Sequence, residues 1–353
     1  MAMEGRRISY ALWALCASLI CTAAAADEPP LLPQTAAELL ARVSDTTAVT
    51  MRGMFDNLGG DQVDGYQTVA TLAGRSPDIW GVDFGFSTVP NEHVDLRPTI
   101  FPKAQALRAQ GASITVSWHE CNPVGQGIRP WIPGPEPCTF TSQLMDTNGD
   151  GVMDSWSNSV LSSLTNAQWN ALLTDGTPLN MRWKAQIDKL AALLQQFQDA
   201  NIPVLFRPYH EPNIPGFWWA DLTIPEHFTA LWRQLRCYLE ETKGLTNLVW
   251  VWSVSYHPTY WWRVAEFYPG DDVVDVVGLD IYPPTAAGIP DFENGWNTLS
   301  VIAPGKPLAL TEISRLPSDA ELLARHWAYV VPWGKTLLFR DNTVARIAEF
   351  FAE

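Results

Sequence analysis

An α/β fold, a single (β/α)8 TIM barrel, is predicted from two features of this 353-residue sequence. Eight segments are almost continuously apolar, as buried parallel strands are. Helical patterns lie between many of these segments, which is the alternation that a barrel of βα units requires. An open doubly wound sheet is the alternative, but no glycine-rich phosphate-binding sequence follows the first strand. We therefore expect one closed barrel.

Each predicted strand is a run of branched or aromatic apolar residues that a polar cluster or a turn ends. In chain order the strands are predicted at residues 48–55, 79–84, 112–118, 202–206, 248–252, 273–279, 307–311 and 328–332. Apolar residues at helical spacing predict helices at 101–110, 179–200, 225–241, 294–303 and 343–351.

The composition indicates a soluble protein that binds a neutral ligand. Apolar residues make up 47% and charged residues 17% of the chain, which is enough for a large core and too little charge for disorder. The net charge of −15 argues against nucleic acid or an anionic membrane as a partner, since both need basic patches. The 17 tryptophans exceed what a core of this size needs, and indole is well suited to stacking on sugar rings.

Residues 1–26 have the pattern of an export signal. Arg6 and Arg7 precede an apolar run over 8–21, and small residues follow up to Ala26, where we expect cleavage. A membrane anchor is the alternative, but the run is short for a bilayer and no stop-transfer pattern follows. We expect a secreted protein, extracellular or periplasmic, with a lead-in at 27–46 and the barrel domain at 47–353.

The most informative segment begins at the fourth predicted strand. Its apolar residues, 202–206, are followed by Arg207, His210 and Glu211, and then by Trp218 and Trp219. A carboxylate beside an imidazole and two indoles suits a site that binds a sugar and protonates its glycosidic oxygen. The alternative is a structural Glu211 that forms a salt bridge with Arg207 at a strand end.

The barrel places all strand ends on one face, where the chemistry of this fold occurs. The residues at the predicted ends are Asp56, Asp83, His119, Glu120, His210, Glu211, Ser253, Asp280, Tyr282, Glu312 and Trp333. Glu211 follows the fourth strand and Glu312 the seventh, so the two should face each other across the barrel. Retaining glycoside hydrolysis uses such a pair, with carboxyl groups about 5–5.5 Å apart.

Several short motifs, in order, resemble those of glycoside hydrolase family 26, a (β/α)8 family best known for endo-β-1,4-mannanases. The resemblance covers nearly the whole mature chain. The motifs are Gly81-Val82-Asp83-Phe84, Ser117-Trp118-His119-Glu120-Cys121-Asn122-Pro123, Arg207-Pro208-Tyr209-His210-Glu211, Phe217-Trp218-Trp219, Tyr268-Pro269-Gly270-Asp271, Gly278-Leu279-Asp280-Ile281-Tyr282, Thr311-Glu312 and Trp333.

The resemblance implies that Glu211 is the acid/base and Glu312 the nucleophile. It also implies that His119, His210 and Trp333 contact the sugar at the cleavage site, and that Tyr282, with Asp280 beside it, orients the nucleophile. The predicted substrate-binding set comprises these five residues together with Trp218 and Trp219. One departure concerns Gly216, which stands where the family usually has a tryptophan. A contact on the leaving-group side is therefore expected to be absent.

Three cysteines remain after the expected cleavage. Cys121 and Cys138 bracket a segment rich in proline and glycine, and a disulfide between them would close that loop in an oxidising compartment. Cys237 lies in a helical pattern and is expected to be a buried free thiol.

A calcium site is predicted in the acidic segment after the third strand. Oxygen ligands recur at alternate positions, and Gly151 permits the sharp turn that such loops need. Ser157 replaces the bidentate glutamate of an EF-hand, so the pattern is closer to shorter dockerin-like loops. The alternative is a solvated acidic turn. The expected ligands are Asp146, Asn148, Asp150, the carbonyl of Val152, and Asp154.

The sequence thus predicts a secreted retaining endo-β-1,4-mannanase that acts as a monomer on mannan, glucomannan or galactomannan. It needs no cofactor for catalysis, and the calcium ion would be structural. One alternative is the same mechanism on mixed-linkage glucan or xylan, because the catalytic pair does not read the sugar's 2-hydroxyl. Another is a carbohydrate-binding protein without catalysis.

Overall fold

The computed structural model describes residues 32–56, 64–85, 96–124, 160–285 and 288–353. The chain from Leu32 to Glu353 forms one compact unit. Within the described ranges, no helix combines the length and apolarity that crossing a membrane requires. The export signal, Cys138 and the calcium loop from Asp146 to Asp154 lie outside the described residues, so those predictions stay predictions.

Eight parallel strands close into a barrel in the order of the chain, and β1 pairs with β8 to complete it. The predicted (β/α)8 barrel is therefore confirmed. The strands are β1 (Met51–Asp56), β2 (Ile79–Asp83), β3 (Ser113–Trp118), β4 (Val204–Pro208), β5 (Leu248–Ser255), β6 (Val276–Ile281), β7 (Leu308–Ile313) and β8 (Tyr329–Pro332).

Helices flank the strands, and α1 precedes the first of them. Those in the described residues are α1 (Ala36–Ser44), α2 (Gly65–Ala73), α3 (Arg97–Arg108), α4 (Asn166–Leu173), α5 (Pro178–Asp199), α6 (Pro225–Cys237), α7 (Phe292–Ile302), α8 (Asp319–Ala324), α9 (Lys335–Asp341) and α10 (Val344–Ala352). A π-helical turn (Tyr238–Thr242) continues α6, and a 3-10 helix (Trp261–Phe267) follows β5.

Helix starts follow the sequence closely. The Thr35 hydroxyl accepts from the Glu38 backbone N–H while the Glu38 carboxylate accepts from that of Thr35, which is a capping box at α1. Thr165 and Gln168 form the same arrangement at α4. Because each box satisfies amides that the first helical turn leaves free, these helices begin at defined residues.

Cys237 corrects one prediction. It is a free thiol, as predicted, but its side chain is exposed. Leu235 and Leu239 on either side of it are fully buried, so the inward face of α6 passes through them and leaves Cys237 on the outer face.

The amino-terminal end of the barrel is closed. Leu39 and Val43 of α1 belong to the same buried cluster as Leu205, Val249 and Tyr329, which are residues of β4, β5 and β8. The helix therefore packs beneath the barrel, and the carboxyl-terminal end is left to hold the site.

The barrel is narrow just below that end. A Cβ placed on Gly278 of β6 would lie 2.5 Å from the Thr311 hydroxyl and 2.7 Å from the Ser253 Cβ. Only glycine allows β5, β6 and β7 to approach this closely, and the approach brings two hydroxyl side chains under Asp280.

Candidate active site

Three carboxylates meet at the carboxyl-terminal end of the barrel. One oxygen each from Glu211, Asp280 and Glu312 lies within 4.8 Å of the others. Glu312 belongs to β7, whereas Glu211 follows the last residue of β4, Pro208, by three positions. The structure thus brings the two predicted glutamates together, with an oxygen of Asp280 on β6 close to both.

A β-bulge directs Glu312 toward the site. β6 and β7 pair regularly up to Leu279 and Leu310, and Asp280 then pairs with Glu312, so Thr311 is the extra residue. In a regular strand, neighbouring side chains would point to opposite faces. Here Thr311 and Glu312 both face inward, because the bulge re-aims one of them. The Thr311 hydroxyl donates to Asp280 at 2.5 Å.

The loop that carries Glu211 has an uncommon backbone. Tyr209 and Glu211 have φ values of 49° and 52°, in the left-handed region that few non-glycine residues adopt. The Glu211 N–H donates to the Ser253 carbonyl at 3.0 Å. The Tyr209 hydroxyl donates to buried Glu120 and accepts from the Trp183 indole at 2.9 Å. These bonds hold the segment in place.

Arg207 connects the carboxylates from below. Its guanidinium donates to Asp280 at 2.9 Å, to Ser253 at 3.1 Å and to Glu312. Burial acts to lower the pKa of Arg207, but the carboxylates Asp280 and Glu312 outweigh it and raise that pKa above its ordinary value. The predicted alternative, a salt bridge between Arg207 and Glu211, is not the contact that forms.

Glu312 is held at both oxygens. Arg207 donates to one, and the Tyr282 hydroxyl donates to the other at 2.8 Å. Burial and the nearby Glu312 raise the pKa of Tyr282 well above its ordinary value, so Tyr282 remains a donor. Two fixed donors orient the Glu312 carboxylate.

Glu211 is placed to remain protonated. Burial raises the pKa of Glu211 well above its ordinary value, and the negative charges of Asp280 and Glu312 raise it further. The Ser255 hydroxyl and Arg207 oppose this rise. A buried carboxyl group with a raised pKa is suited to donate a proton as a general acid.

Asp280 was expected to contact substrate, but the structure places it below the site. It is fully buried and accepts from Arg207, Thr311 and Ser253. Burial raises the pKa of Asp280 to about 7, although Arg207 acts in the opposite direction. Asp280 therefore orients Arg207, because its hydrogen-bond partners Arg207, Ser253 and Thr311 all belong to barrel strands.

The two predicted histidines lie edge to face, with ring centroids 4.5 Å apart. His119 Nδ1 lies 2.9 Å from an Asp83 oxygen, and the Ser117 hydroxyl donates to the same carboxylate at 2.5 Å. Although burial acts to raise the pKa of Asp83, His119 and Ser117 hold it well below its ordinary value. The charged carboxylate fixes the His119 ring with Nδ1–H as donor.

His210 is a neutral imidazole beside this pair. Burial lowers the pKa of His210 well below its ordinary value, and the charges of His119 and Arg207 act in the same direction. Its Nδ1 is buried and has no hydrogen-bond partner among the residues that the structure describes. A neutral ring can donate from one nitrogen and accept at the other, which suits contact with a sugar hydroxyl.

The aromatic residues separate into two groups. Trp333 is half-buried, stacks on Phe55 at 4.0 Å and lies 5.8 Å from the Arg207 guanidinium. Trp218 and Trp219 are fully buried. They donate to the carbonyls of Glu120 and His210, respectively, both at 2.8 Å.

This burial corrects the prediction that Trp218 and Trp219 stack on substrate. The sequence places paired indoles next to Glu211, but it does not distinguish an exposed ring from one packed behind the site. Their N–H groups support the backbone at Glu120 and His210, so they shape the site from behind. Of these three indoles, Trp333 keeps an accessible surface.

The carboxylate cluster has a cationic partner within the protein. One oxygen from each of the three carboxylates lies close enough to the others to coordinate a hard cation. The Arg207 guanidinium pairs with two of these side chains, Asp280 and Glu312, and so balances part of their charge.

Sequence reasoning missed the support around Glu211. Asn213 and Ser255 were not predicted as site residues, yet Asn213 forms two hydrogen bonds with the Ser255 backbone. Asp83 was noticed as a strand-end residue, but its pairing with His119 follows only from the fold. The sequence showed only that these residues follow a predicted strand. That position does not reveal which side chains they form hydrogen bonds with.

A barrel with two carboxylates this close at the ends of β4 and β7 has the arrangement that glycoside hydrolases use. The sequence model of glycosyl hydrolase family 26 matches residues 33–335. The chain belongs to that family.

Two curated relatives and one solved structure show the extent of the similarity. A mannan endo-1,4-beta-mannosidase of Bacillus subtilis strain 168 is 34% identical over 157 residues, 42% of this chain and 41% of the relative. One of Thermothelomyces thermophilus is 28% identical over 276 residues, 76% of this chain and 50% of the relative. The chain therefore spans about half or less of these relatives' length.

The solved structure is GH26A from Muricauda sp. MAR_2010_75. It is 26% identical in sequence, has a TM-score of 0.72, and is matched over 90% of this chain and 94% of its own. The fold is thus shared over nearly the full length of both proteins.

Proposed function

We propose that this protein is a secreted, retaining endo-β-1,4-mannanase that hydrolyses internal bonds of mannan-type polysaccharides. The observation that carries the proposal is the approach of Glu211, Asp280 and Glu312 oxygens to within 4.8 Å of one another. Retaining enzymes need carboxyl groups about 5–5.5 Å apart, whereas inverting enzymes leave room for a water molecule at about 6.5–9.5 Å.

The reaction proceeds in two displacements. Glu211, protonated because of its burial, gives its proton to the glycosidic oxygen as Glu312 attacks the anomeric carbon. Glu312 then forms a covalent glycosyl ester, and the leaving sugar departs. Glu211, now charged, removes a proton from water, which attacks the anomeric carbon and releases Glu312.

The surrounding residues assist this chemistry without a cofactor. Tyr282 and Arg207 orient Glu312 for attack. Trp333 offers an indole surface to the sugar ring, and His119 and His210 offer ring nitrogens to its hydroxyls. Carbohydrate is neutral, so none of these contacts requires a cationic groove.

The choice of mannan rests on the relatives, because the two catalytic carboxylates do not read the 2-hydroxyl of the sugar. Both relatives described above are named mannan endo-1,4-beta-mannosidase. Mixed-linkage glucan, xylan and non-catalytic carbohydrate binding remain the rivals. The protein acts as an exported monomer on mannan, glucomannan or galactomannan.

A hydrolysis panel tests the substrate. We expect reducing ends from mannan and galactomannan, and much slower release from mixed-linkage glucan and xylan. The anomer of the first product, followed by NMR, should be the β form. Faster cleavage of glucan or xylan would reassign the substrate, and an initial α product would overturn the retaining mechanism.

Two variants test the roles. Glu211→Ala should lose most activity on oligosaccharides and far less on aryl glycosides with good leaving groups, with azide restoring turnover. Glu312→Ala should be inactive on both. Equal losses on both substrates for Glu211→Ala would mean that the roles are wrongly assigned, and hydrolysis that survives in Glu312→Ala would reject the nucleophile.

A further inference from the structure

The backbone around Glu211 needs an external restraint. Left-handed φ values at two non-glycine residues, Tyr209 and Glu211, cost on the order of 1–3 kcal/mol each. Regular pairing between β4 and β5 ends at Phe206 and Trp250, well before Glu211 is reached. Other contacts must therefore keep the Glu211 carboxyl at its place.

Asn213 supplies such a contact. It is fully buried, and its side-chain amide forms two hydrogen bonds with the Ser255 backbone, as the backbone of a neighbouring strand would. Its Nδ2 donates to the Ser255 carbonyl at 2.8 Å, and its Oδ1 accepts from the Ser255 N–H at 2.9 Å. Together with the bond from the Glu211 N–H to the Ser253 carbonyl, this continues the β4–β5 ladder beyond the end of β4.

Ser255 links this pairing to the acid itself. Its backbone is held by Asn213, and its side chain opposes the rise in the pKa of Glu211. A shift of the Ser255 backbone would therefore disturb both the loop that carries Glu211 and the position of that side chain.

We propose that Asn213 is a positioning residue for proton transfer, which holds Glu211 and the Ser255 hydroxyl in register through its two hydrogen bonds to the Ser255 backbone. The inference rests on the proposed role of Glu211 as acid/base. It differs from a purely structural role because displacement of the acid should harm only the reactions that need protonation of the leaving group.

Asn247 offers a matched control. It is also buried, and its amide donates to the Ile202 carbonyl at 3.1 Å. It thus connects the same two strands, β4 and β5, but at their amino-terminal ends. Asn247→Ala removes a comparable amide-to-backbone contact far from the carboxylates.

The experiment compares Asn213→Ala, Asn247→Ala and Glu211→Ala on mannotetraose and on 2,4-dinitrophenyl β-mannobioside. For Asn213→Ala we expect kcat on the oligosaccharide to fall roughly tenfold or more, a part of the roughly 10²–10⁴ that a general acid supplies, with KM little changed. The rate on the activated aryl substrate should change less than about threefold. Asn247→Ala should lower the melting temperature without altering the ratio of the two rates.

Ser255→Ala keeps the backbone hydrogen bonds and removes only the hydroxyl. It therefore provides a second test of the inference if Asn213→Ala does not fold. The basic limb of its kcat/KM profile should move to higher pH, because the Ser255 hydroxyl lowers the pKa of Glu211. Equal losses on both substrates in Asn213→Ala, or an unmoved basic limb in Ser255→Ala, would overturn the inference. If Glu211→Ala itself fails to discriminate between the substrates, the proposed function falls instead.

Discussion

Arg207 on β4 donates hydrogen bonds to both Asp280 of β6 and Glu312 of β7, and so it joins three strands of the barrel at one point. The three side chains expose 7% or less of their surface. At this depth a charge without a partner is costly, so the guanidinium and the two carboxylates depend on one another.

Arg207→Met should therefore destabilise the protein strongly. Removal of one partner of a buried ion pair costs about 3–5 kcal/mol, here measurable as the loss in free energy of unfolding in urea. Arg233→Met is the control, since Arg233 pairs with Asp272 in a largely exposed position and its loss should cost at most about 1 kcal/mol. Equal effects of the two substitutions would contradict the coupling.

Tyr282→Phe should lower kcat with little effect on folding. The lost hydrogen bond to Glu312 is charge-assisted and worth about 1.5–3 kcal/mol, which corresponds to a loss of roughly ten- to hundredfold. Tyr268→Phe removes a similar hydroxyl-to-carboxylate bond, to Asp271, away from the site. Steady-state kinetics should show the loss only in Tyr282→Phe, and an unchanged kcat would mean that Tyr282 does not orient the nucleophile.

Stability should depend on pH through Glu211. Its pKa is raised in the folded protein, so the unfolded chain releases this proton first as the pH rises above 4.5. The folded form binds more protons in that range, and stability falls with rising pH until the folded pKa is passed. Each pKa unit of this difference corresponds to about 1.4 kcal/mol.

Glu211→Gln removes this cost and should be more stable than the parent protein above pH 4.5, with a gap that widens as the pH rises. Thermal melts at a series of pH values measure it. Glu226→Gln, an exposed carboxylate of α6, controls for the loss of one negative charge. A constant gap at all pH values would show that Glu211 is not a buried acid.

A disulfide between Cys121 and Cys138 remains a prediction. Such a bridge would restrict the loop after β3 and so help to hold His119 in place. Peptide mass spectrometry of the exported, non-reduced protein should find the two cysteines linked and Cys237 unmodified. Alkylation of both Cys121 and Cys138 without prior reduction would reject the bridge.

The calcium loop also remains a prediction. Asp146, Asn148, Asp150, Asp154 and the Val152 carbonyl would bind one ion at roughly 2.3–2.6 Å. Because an ion that binds only the folded form stabilises it, calcium should raise the melting temperature and a chelator should lower it. Asp150→Ala should make the protein insensitive to chelator, and a parent melting curve that EDTA leaves unchanged would identify an ordinary acidic turn.

The barrel could be predicted from the sequence because buried parallel strands are recognisable as continuous apolar runs. It also paired Glu211 with Glu312, since the ends of β4 and β7 must share one face of a closed barrel. The β-bulge could not be predicted from sequence, because the regular alternation of a strand would place Thr311 and Glu312 on opposite faces.

The exposure of individual side chains in the site was also not predictable from sequence. Trp218, Trp219 and Asp280 were expected at the surface of the site, and all three are fully buried. Residue type and position after a strand do not determine whether a side chain points to the ligand or supports a neighbour. The left-handed backbone at Tyr209 and Glu211 likewise depends on contacts from other strands.

The packing of α1 under the barrel has a consequence for proton traffic. Leu39 and Val43 close one end of the barrel as part of the buried apolar cluster that also holds Leu205 and Val249, so this end offers protons and water a poor route to the carboxylates. In the proposed mechanism, protons and water would therefore reach Glu211 through the opening that the sugar chain uses. A bound polysaccharide would then leave the water that completes the turnover as the source of the acid's next proton, and recharging of the acid would be tied to product formation.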